Sequence, residues 1–518
     1  MEKRKKTRVA IFTITRDTNY GNRLQNYALQ EVLKSFSDET HEVEAETVTN
    51  ELWHWMPFDY SKPLEECVTE QTYQSLLRQM PLSEISRYIG KNVLRHQAFV
   101  RFDQENINQS DVRITRRDVP GAGKALRASY DWGVVGSDQI WNVYIQGVSS
   151  FDFAACMPPE RRVAYAGSFG MKNVPEQVKT QYQNLLRGLA QISVREDAGA
   201  AIVAELTGRK AEVVPDPTML LPTEIWQLVM EKPKSLQLPP AYLLSYHLQH
   251  INRSYIERER ALAKEKGLAF LEIPGEDVPF YNLGPAEFVY LIAHATAVVT
   301  DSFHGSCFSI LFGKPVLCIA RSSENPADMS SRFDTLLSTY GLEQRRVAQA
   351  EEITAERLFA NDMGDVPRRI RERRKIGTAF LESALPGVGG KLRLNSVALV
   401  RRDRCTGCSA CAAACPQAAI TMKHESKGGR IHISVRGSGG VPRLRPLPRH
   451  LSGLPPDGSA GGRRPRGGRR RFCRRGRSCS GERRCRPQEK FVGRDVPPAG
   501  AAGACGGRRR HRRGARRP

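Results

Sequence analysis

The sequence lacks an apolar run long enough to cross a membrane, and its first apolar run, Val9 to Ile14, is interrupted by Thr13. A membrane-spanning helix needs about 20 apolar residues, and a secretion signal needs a longer apolar core than this run provides. A disulfide framework is also missing, because four of the 12 cysteines lie together between residues 405 and 415 and the others are scattered. These absences predict a soluble protein of the reducing cytoplasm.

Residues 436–518 have few aromatic or β-branched side chains, and they hold 25 Lys and Arg against 4 Asp and Glu. Such a segment cannot bury a core, so its composition predicts a disordered basic tail. The tail carries most of the net charge of +24, which leaves the rest of the chain close to neutral. One explanation is an arm that binds nucleic acid through charge, although the scarcity of aromatic rings for base stacking argues against it. The other is a frameshift product, translated out of frame from GC-rich DNA.

Four cysteines near the tail follow the spacing of bacterial ferredoxins. Cys405, Cys408 and Cys411 recur at every third position, and Cys415 stands directly before Pro416. Soft thiolate ligands with this spacing bind iron–sulfur clusters, so the motif predicts a 4Fe-4S cluster. In two-cluster ferredoxins the fourth cysteine serves the other cluster, which needs a second four-cysteine motif. The sequence has no such second motif, and the cluster module is therefore expected to be truncated.

Ahead of the cysteines, short β-branched runs alternate with longer amphipathic patterns, which predicts an α/β fold with parallel sheets covered by helices. The predicted strands are Val9 to Thr15, Gly133 to Val135, Arg162 to Ala166, Ile192 to Val194, Ala211 to Val214, Tyr242 to Ser245, Ala269 to Ile273, Ala297 to Thr300 and Val316 to Ile319. The predicted helices include Leu24 to Ser35, Val178 to Leu189, Ala198 to Glu205, Tyr255 to Lys266, Pro285 to His294 and Phe308 to Leu311.

Sheets of this kind bind ligands beyond the carboxyl ends of their strands, so the loops there hold the candidate site. Gly21 stands at a strand-to-helix turn, where it either lets backbone amides face an anion or only makes a tight turn. His304 lies between Ser302 and Gly305 after an apolar strand, where an imidazole could transfer a proton near neutral pH. The candidate substrate-binding residues in these loops are Asn19, Tyr20, Gly21, Asn22, Gln25, Ser137, Asp138, Gln139, Trp141, Asn142 and Ser302.

One group of these polar residues has two interpretations. Gln139, Trp141 and Asn142 together are typical of a platform for a sugar or another ligand. Ser137 and Asp138 are also good N-cap residues for a helix that follows the strand.

Taken together, the loop segments resemble the polysaccharide pyruvyl transferase family from about residue 8 to residue 345. The segments that carry the resemblance are, in order, Asn19–Asn22 with Gln25–Gln30, Val135–Asn142, Tyr165–Gly170, Ile192–Asp197, Asp216–Leu221, and Thr300–Gly305 with Gly313–Pro315.

The resemblance implies an α/β fold of two Rossmann-like domains, as in the GT-B glycosyltransferases, with a cleft between them. We place the two halves at residues 1–189 and 190–347, a helical connector at 348–395, a small truncated α+β ferredoxin-like module at 396–435 and the disordered basic tail at 436–518. The implied role is in polysaccharide biosynthesis. A carboxyethylidene group would pass from phosphoenolpyruvate to a sugar of a polysaccharide or lipid-linked precursor, in a reaction that needs a proton donor and cations for the donor's carboxylate and phosphate.

The resemblance also implies catalytic residues. His304 matches the family's active-site histidine, and Arg195 matches the arginine of its Ser-x-Arg-Asp-like segment. Lys314 and Arg321 follow the histidine and could supply further positive charge, so Lys314 joins the candidate substrate-binding residues. Family members carry Arg-Leu-His where this chain has Ser302 and Phe303 before His304. The arginine is missing at that place, which leaves a donor other than phosphoenolpyruvate open.

The cysteine segment, with Gly428 to Ile433 after it, resembles the first half of the two-cluster domain of the deazaflavin-coenzyme hydrogenase beta-subunit family. That resemblance implies short strands at Val397 to Val400 and Ile420 to Met422, and a redox partner. Two other functions remain open on the sequence. The chain could be an iron–sulfur electron-transfer protein whose large body docks a partner, or a GT-B glycosyltransferase.

Overall fold

Two parallel β-sheets lie between helices, as the alternating pattern predicts. In this computed structural model the described residues are 5–15, 18–38, 40–50, 74, 78, 81–89, 93–114, 119–234, 236–248, 252–273, 282–320, 330–389, 420–424 and 431–435. They belong to a compact unit, Met1–Gly453, whereas a second unit, Leu454–Pro518, contains no described residue. The expected basic tail at 436–518 therefore lies outside the described residues.

The first sheet has seven strands in the order β3-β2-β1-β4-β5-β6-β7, and the second has five in the order β12-β11-β10-β8-β9. The strands of the first sheet are β1 Lys5–Phe12, β2 His41–Asn50, β3 Gln109–Ile114, β4 Trp132–Val135, β5 Arg162–Gly167, β6 Gln191–Val194 and β7 Glu212–Val213. Those of the second sheet are β8 Tyr242–Tyr246, β9 Ala269–Ile273, β10 Ala297–Thr300, β11 Val316–Ile319 and β12 Arg346–Val347.

Helices connect these strands. They are α1 Tyr20–Lys34, α2 Leu82–Ile89, α3 Arg95–Asn106, α4 Val119–Ser129, α5 Val143–Gln146, α6 Glu176–Arg187, α7 Asp197–Thr207, α8 Pro217–Leu220, α9 Thr223–Val229, α10 Arg253–Glu265, α11 Pro285–His294, α12 Phe303–Leu311, α13 Ser330–Tyr340, α14 Ala355–Leu358 and α15 Val366–Ala384. All pairings within the two sheets are parallel, which confirms the α/β class with two Rossmann-like halves.

The boundary between the halves differs from the expected one at residues 189 and 190. Strand β6 pairs with β5, and β7 pairs with β6, so both strands complete the first sheet. The second sheet begins only at Tyr242. The sequence gives no sign of this division because both sheets are built from short apolar strands of the same kind.

Two strands of the first sheet were not predicted. Strand β2 alternates valine and alanine with glutamates, and its glutamates pair with basic residues of β1: Lys6 Nζ lies 2.6 Å from Glu44 Oε1, and Arg8 Nη2 lies 2.9 Å from Glu46 Oε2. Strand β3 is the edge strand of the sheet and has exposed residues along it. Polar strands of this kind lack the continuous apolar run of a fully buried parallel strand.

Three buried apolar clusters surround the sheets. One covers the outer face of the first sheet, a second covers the outer face of the second sheet, and the third includes residues of both halves. In the third cluster Tyr20 of α1 stacks on Phe288 of α11, with ring centroids 4.4 Å apart. The halves therefore share an apolar core.

Helix α15 lies in the expected connector at 348–395, but it packs as part of the core. Its residues Ile370, Phe380 and Leu381 are buried in the cluster shared by the two halves. Gly377 lies so close to Tyr165 of β5 that a Cβ there would be 2.5 Å from the phenol oxygen. Helix α15 of the connector therefore packs against the first sheet.

In the cysteine module the structure describes an antiparallel hairpin of β13 Ile420–His424 and β14 Ile431–Val435, in which Met422 pairs with Ile433. The predicted strand at Ile420 to Met422 is confirmed, and Val397 to Val400 lies outside the described residues. None of the helices among the described residues combines the length and apolar character needed to cross a membrane.

Candidate active site

The candidate site forms where loops from both halves meet at the carboxyl ends of their strands. Asp138 follows β4, Arg195 follows β6 and Asp216 follows β7, whereas His304 stands in the first turn of α12 after β10. This is the position at which parallel sheets bind ligands. All four side chains are buried, with at most 5% of each residue exposed.

Arg195 holds the two aspartates together. Its Nη2 donates to Asp138 Oδ1 and its Nη1 donates to Asp216 Oδ2, each over 2.9 Å. Ser137 Oγ also donates to Asp216 Oδ2 over 2.8 Å, and the Asn22 side chain donates to Asp138. A buried guanidinium with two carboxylates needs its hydrogen bonds to be made. Both Nη atoms of Arg195 meet that need, whereas its Nε makes no hydrogen bond with a described residue and lies 3.8 Å from Glu196 Oε2.

His304 faces this cluster from the other half of the molecule. Its Nε2 lies 3.5 Å from Asp216 Oδ2, at ion-pair distance, and makes no hydrogen bond with a described residue. The other ring nitrogen faces the first turn of α1, where a Cβ on Gly21 would lie 1.9 Å from Nδ1. Only glycine at position 21 therefore leaves room for the imidazole.

The electrostatics of the cluster favour ionised aspartates. Burial alone would raise the pKa of Asp216, but the positive charges of His304 and Arg195 outweigh burial and hold the pKa well below its usual value. The pKa of Asp138 is also lowered, because Arg195, His304 and Arg332 outweigh burial. The pKa of Glu196, in contrast, is raised because burial outweighs the nearby guanidiniums.

Two guanidiniums lie against the ring of Phe303. The Cζ of Arg195 is 4.2 Å from the ring centroid, and that of Arg332, in α13, is 5.6 Å away. Arg332 is only 3% exposed. Cation–π contacts hold buried guanidiniums in fixed positions, so the aromatic ring at position 303 orients both cations beside His304.

Several predicted site residues serve the local structure instead. Asn19 caps α1, with its Oδ1 accepting from Gly21 N over 2.9 Å, so the amide of Gly21 is not open to an anion. Tyr20 is fully buried and donates from its hydroxyl to Leu283 O over 3.0 Å. Gln25 donates to Thr13 Oγ1 over 2.8 Å, and Ser302 caps α12.

Trp141, predicted as part of a ligand platform, lies in the core of the first half. Its ring is 1% exposed, stacks on Phe153 with centroids 5.3 Å apart, and donates from Nε1 to Asp152 O over 2.9 Å. Asn142 caps α5, and its Nδ2 donates to Gln139 Oε1 over 2.8 Å. These side chains already satisfy one another, which explains why a group of polar residues after a strand need not bind a ligand.

Lys314 does not join the site. It lies beyond the C-terminal end of α12, whereas His304 is in the first turn, and seven helical residues at 1.5 Å each place them roughly 10 Å apart along the axis. Arg321 lies outside the described residues.

The iron–sulfur motif lies outside the described residues, with all four of its cysteines: Cys405, Cys408, Cys411 and Cys415. Among the residues that are described, no group of three or more His, Cys, Asp or Glu side chains is placed to hold a metal ion.

Three members of the cluster were missed as site residues. Asp216 was recognised only as part of a family segment, although an aspartate before proline at a strand end is a recognisable signal. Glu196 is adjacent to Arg195 but carries no separate sequence signal. Arg332 is more than 25 positions after His304 and lies in a helix, so only the folded structure brings it to Phe303.

A second buried ionic group lies close to His304. His247, after β8, has its Nε2 3.0 Å from Glu259 Oε1 and its Nδ1 3.9 Å from Asp301 Oδ1. Asp301 also accepts from the amide of Leu248 over 2.7 Å. This group fixes the loop that carries Ser302 and His304 against α10.

Comparisons with known proteins match two parts of the chain. Residues 19–323, more than half of the chain, match the polysaccharide pyruvyl transferase family, and residues 398–421 match the 4Fe-4S binding domain family. The matches confirm the resemblance to the polysaccharide pyruvyl transferase family and the ferredoxin-type 4Fe-4S motif. Comparison with curated proteins gives no match.

Several solved structures share some similarity with this chain. A variant of the O-GlcNAc transferase from Thermobaculum terrenum is 14% identical with a TM-score of 0.32, and the match covers 75% of this chain and 65% of that one. The glycosyltransferase SnogD from Streptomyces nogalater is 12% identical with a TM-score of 0.32, and the match covers 74% and 100%. The UDP-GlcNAc 2-epimerase from Neisseria meningitidis is 10% identical with a TM-score of 0.30, and the match covers 71% and 99%.

Proposed function

This chain belongs to the polysaccharide pyruvyl transferase family, and from that membership we propose that it transfers a carboxyethylidene group to a sugar of a polysaccharide or lipid-linked precursor. We propose phosphoenolpyruvate as the donor and the cytoplasm as the location.

The observation that carries this proposal is the meeting of His304 with Asp216 and Arg195. The imidazole comes from the second half, and the carboxylate and guanidinium come from the first. Histidine is the side chain that most often acts as a general acid, and Asp216 lies at ion-pair distance from the His304 ring. The cluster therefore combines a proton donor with a cation, the two groups that this transfer needs.

The reaction balances with a single general acid. A proton from His304 would convert the methylene of phosphoenolpyruvate into a methyl group and leave a cationic carbon stabilised by its oxygen. One sugar hydroxyl adds to this carbon, and a second hydroxyl displaces phosphate to close the ketal. Of the two protons lost by the hydroxyls, one restores His304 and the other leaves with phosphate.

The two guanidiniums beside Phe303 would bind the donor's anionic groups. Family members place an arginine two positions before the histidine, where this chain has Ser302. Here Arg332 comes from α13 to the face of the neighbouring Phe303 ring and lies close enough to lower the pKa of Asp138. We propose that Arg195 and Arg332 hold the carboxylate and phosphate, so that Arg332 replaces the missing cation from another element.

The test measures phosphate release and ketal formation by the full chain with phosphoenolpyruvate and a panel of sugars. His304→Gln should lower turnover by about 10²- to 10⁴-fold, the range expected for loss of a general acid. Lys314→Met should turn over like the wild type, because Lys314 lies away from the cluster. Wild-type turnover in His304→Gln would exclude the assignment.

Thermal-shift measurements separate this proposal from a glycosyltransferase of the same fold. Phosphoenolpyruvate should raise the melting temperature of the wild type, and Arg195→Met should abolish that rise. A rise with nucleotide sugars and none with phosphoenolpyruvate would replace pyruvyl transfer by glycosyl transfer.

For the C-terminal module, we propose that Cys405, Cys408, Cys411 and Cys415 bind a 4Fe-4S cluster that exchanges electrons with a redox partner. The match of residues 398–421 to the 4Fe-4S binding domain family and the ferredoxin spacing support this. The same match supports a second candidate function, which is electron transfer by this chain. After anaerobic reconstitution, the cluster should give a visible absorption band that changes when the cluster is reduced.

A further inference from the structure

An open groove of about 390 Å³ lies between the start of α7 and the length of α13. Asp197, the first residue of α7, lines one side, and Ser331, Asp334, Thr335 and Ser338 of α13 line the other. Asp197 follows Arg195 and Glu196 directly in the chain, so the groove opens at the carboxyl end of β6. Ligands of parallel sheets bind at this edge.

One polar group in the groove is buried without a partner. Ser331 is 9% exposed, and its Oγ makes no hydrogen bond with any described residue. Buried hydroxyls normally have a partner, and an unpaired hydroxyl next to a cavity is suited to bind a polar ligand. A hydroxyl of the ligand can supply that partner.

The charges of the groove exclude one class of ligand. Its walls carry three carboxylates, those of Asp197, Asp334 and Glu343, and one guanidinium, that of Arg346. The guanidinium lies 3.9 Å from Asp334 and 4.8 Å from the ring centroid of Phe333. An anionic ligand would be repelled, whereas a neutral polyhydroxyl ligand can donate to the carboxylates.

The groove connects to the proposed catalytic cluster through α13. Thr335 lines the groove and also a smaller cavity of about 20 Å³ that is lined by Arg195, Asp216 and Phe303. Its Oγ1 donates to Asp197 Oδ2 over 3.1 Å, which fixes the two walls to each other. One turn earlier in the same helix, Arg332 faces Phe303.

We propose that this groove is the acceptor subsite and that it takes an uncharged glycosyl ring. The proposal rests on the proposed transfer reaction. It divides the two substrates by charge: the anionic donor lies at Arg195 and Arg332, and the neutral sugar lies along α13, with its hydroxyls on Ser331 and the carboxylates. Sugars that carry carboxylate or phosphate near the reacting hydroxyls are poor acceptors.

The test blocks the groove with a matched pair of substitutions. Ser338 and Ser383 are both exposed helical serines whose hydroxyls donate to the carbonyl three residues earlier. Ser338→Trp fills the groove, and Ser383→Trp places the same side chain on α15, away from it. Binding of the neutral methyl glycosides of glucose, galactose and mannose to the full chain is measured by saturation-transfer NMR, with methyl glucuronide as the anionic probe.

At least one neutral glycoside should bind, Ser338→Trp should weaken it by 10-fold or more, and Ser383→Trp should leave it unchanged. Ser331→Ala should also weaken it, while the thermal shift with phosphoenolpyruvate stays at its wild-type value in all three variants. Unchanged glycoside binding in Ser338→Trp, or tighter binding of the glucuronide than of every neutral glycoside, would overturn the proposal.

The assay also separates this proposal from the proposed function. If transfer occurs and Ser338→Trp leaves the KM for the acceptor unchanged, the groove assignment fails alone. If glycosides bind in the groove and no transfer from phosphoenolpyruvate is found, the sugar site holds and the donor assignment fails.

Discussion

At the scale of single residues, Gly21 controls the position of His304. A methyl group at this position would lie 1.9 Å from the imidazole Nδ1, so Gly21→Ala must displace the ring. We expect activity to fall by about 100-fold, because small displacements of a catalytic group have effects of that size. The free energy of unfolding should fall by only about 1–3 kcal/mol, the usual cost of overpacking. Turnover and urea unfolding measure the two effects.

Gly123→Ala is the matched control for that substitution. Gly123 also lies in a helix, α4, and a Cβ there would meet its nearest neighbour, Cys156 Cβ, at an ordinary 3.4 Å. This variant should keep wild-type activity and gain about 0.5–1 kcal/mol of helix stability. Equal activity in the two variants would show that Gly21 does not position His304.

His247 makes the stability of the protein depend on pH. Burial alone would lower the pKa of His247, but the contact with Glu259 and the charge of Asp301 outweigh burial and raise the pKa above its usual value. A raised pKa in the folded state stabilises the protein fully below about pH 6.5, and the stabilisation is lost as pH rises through the raised pKa.

The comparison with His247→Gln isolates this effect. The urea midpoint of the wild type should exceed that of the variant most at pH 6. This difference in midpoint should become progressively smaller at pH 7, 8 and 9. A difference that grows with pH would contradict the raised pKa.

At this scale the sequence singled out the two residues proposed to be catalytic but not the residues around them. His304 and Arg195 were identified from family segments, and the structure brings them to the same aspartate. The burial of Trp141 was not foreseen, because a buried indole with an internal acceptor looks the same in sequence as an exposed one. Arg332 could not be found, because its contact with Phe303 depends on how α13 packs.

At the scale of elements, the basic residues of α15 have two roles. Some are exposed to solvent, and others bind backbone carbonyls of the first half. These residues lie in the run Arg368 to Lys375, which as a charged helical run would most simply form a solvated face. Arg374, however, is partly buried and donates from Nε to Met219 O over 2.8 Å and from Nη2 to Leu221 O over 2.6 Å. Arg368 on the same helix is exposed and pairs with Asp365 and Glu372.

Arg374→Lys should therefore be destabilising, since an ammonium cannot reproduce the two directed bonds of a guanidinium. We expect a loss of about 1–3 kcal/mol, the cost of leaving buried carbonyls unpaired. Arg368→Lys, the same change on the exposed face, should leave the urea midpoint unchanged. Equal midpoints in the two variants would mean that α15 is not fixed to the first sheet through Arg374.

Element prediction succeeded where strands are short and mostly apolar. The bounds expected for β9, β10 and β11 agree with the structure, and the only polar residues of these strands are Glu272 and Thr300. It failed for β2 and β3, since the glutamates of β2 become compatible with a sheet only beside the basic residues of β1. Pairing between distant strands is not visible in either strand alone.

At the scale of the whole molecule, we expect pyruvyl transfer and the iron–sulfur cluster to function independently of each other. The residues described at the candidate active site, from Gly21 to Arg332, all precede the cysteine motif in the chain. The double variant Cys405→Ser, Cys408→Ser should lose iron, sulfide and the visible absorption after anaerobic reconstitution, because two thiolate ligands are gone. Its pyruvyl transfer and melting temperature should match those of the wild type. Loss of transfer together with the cluster would show that the two functions are coupled.

Helix α15 follows the second sheet in the chain but packs against residues that precede that sheet. A cut between the two sheets therefore does not release the C-terminal half from the N-terminal half. A protease cut after the exposed Lys234, between the two sheets, leaves α15 on the C-terminal fragment. Arg373 and Arg374 of that fragment still hold carbonyls of Val213, Met219 and Leu221 on the other. We therefore expect the cut protein to elute from a size-exclusion column as one nicked species, and its two fragments are suited to fragment complementation.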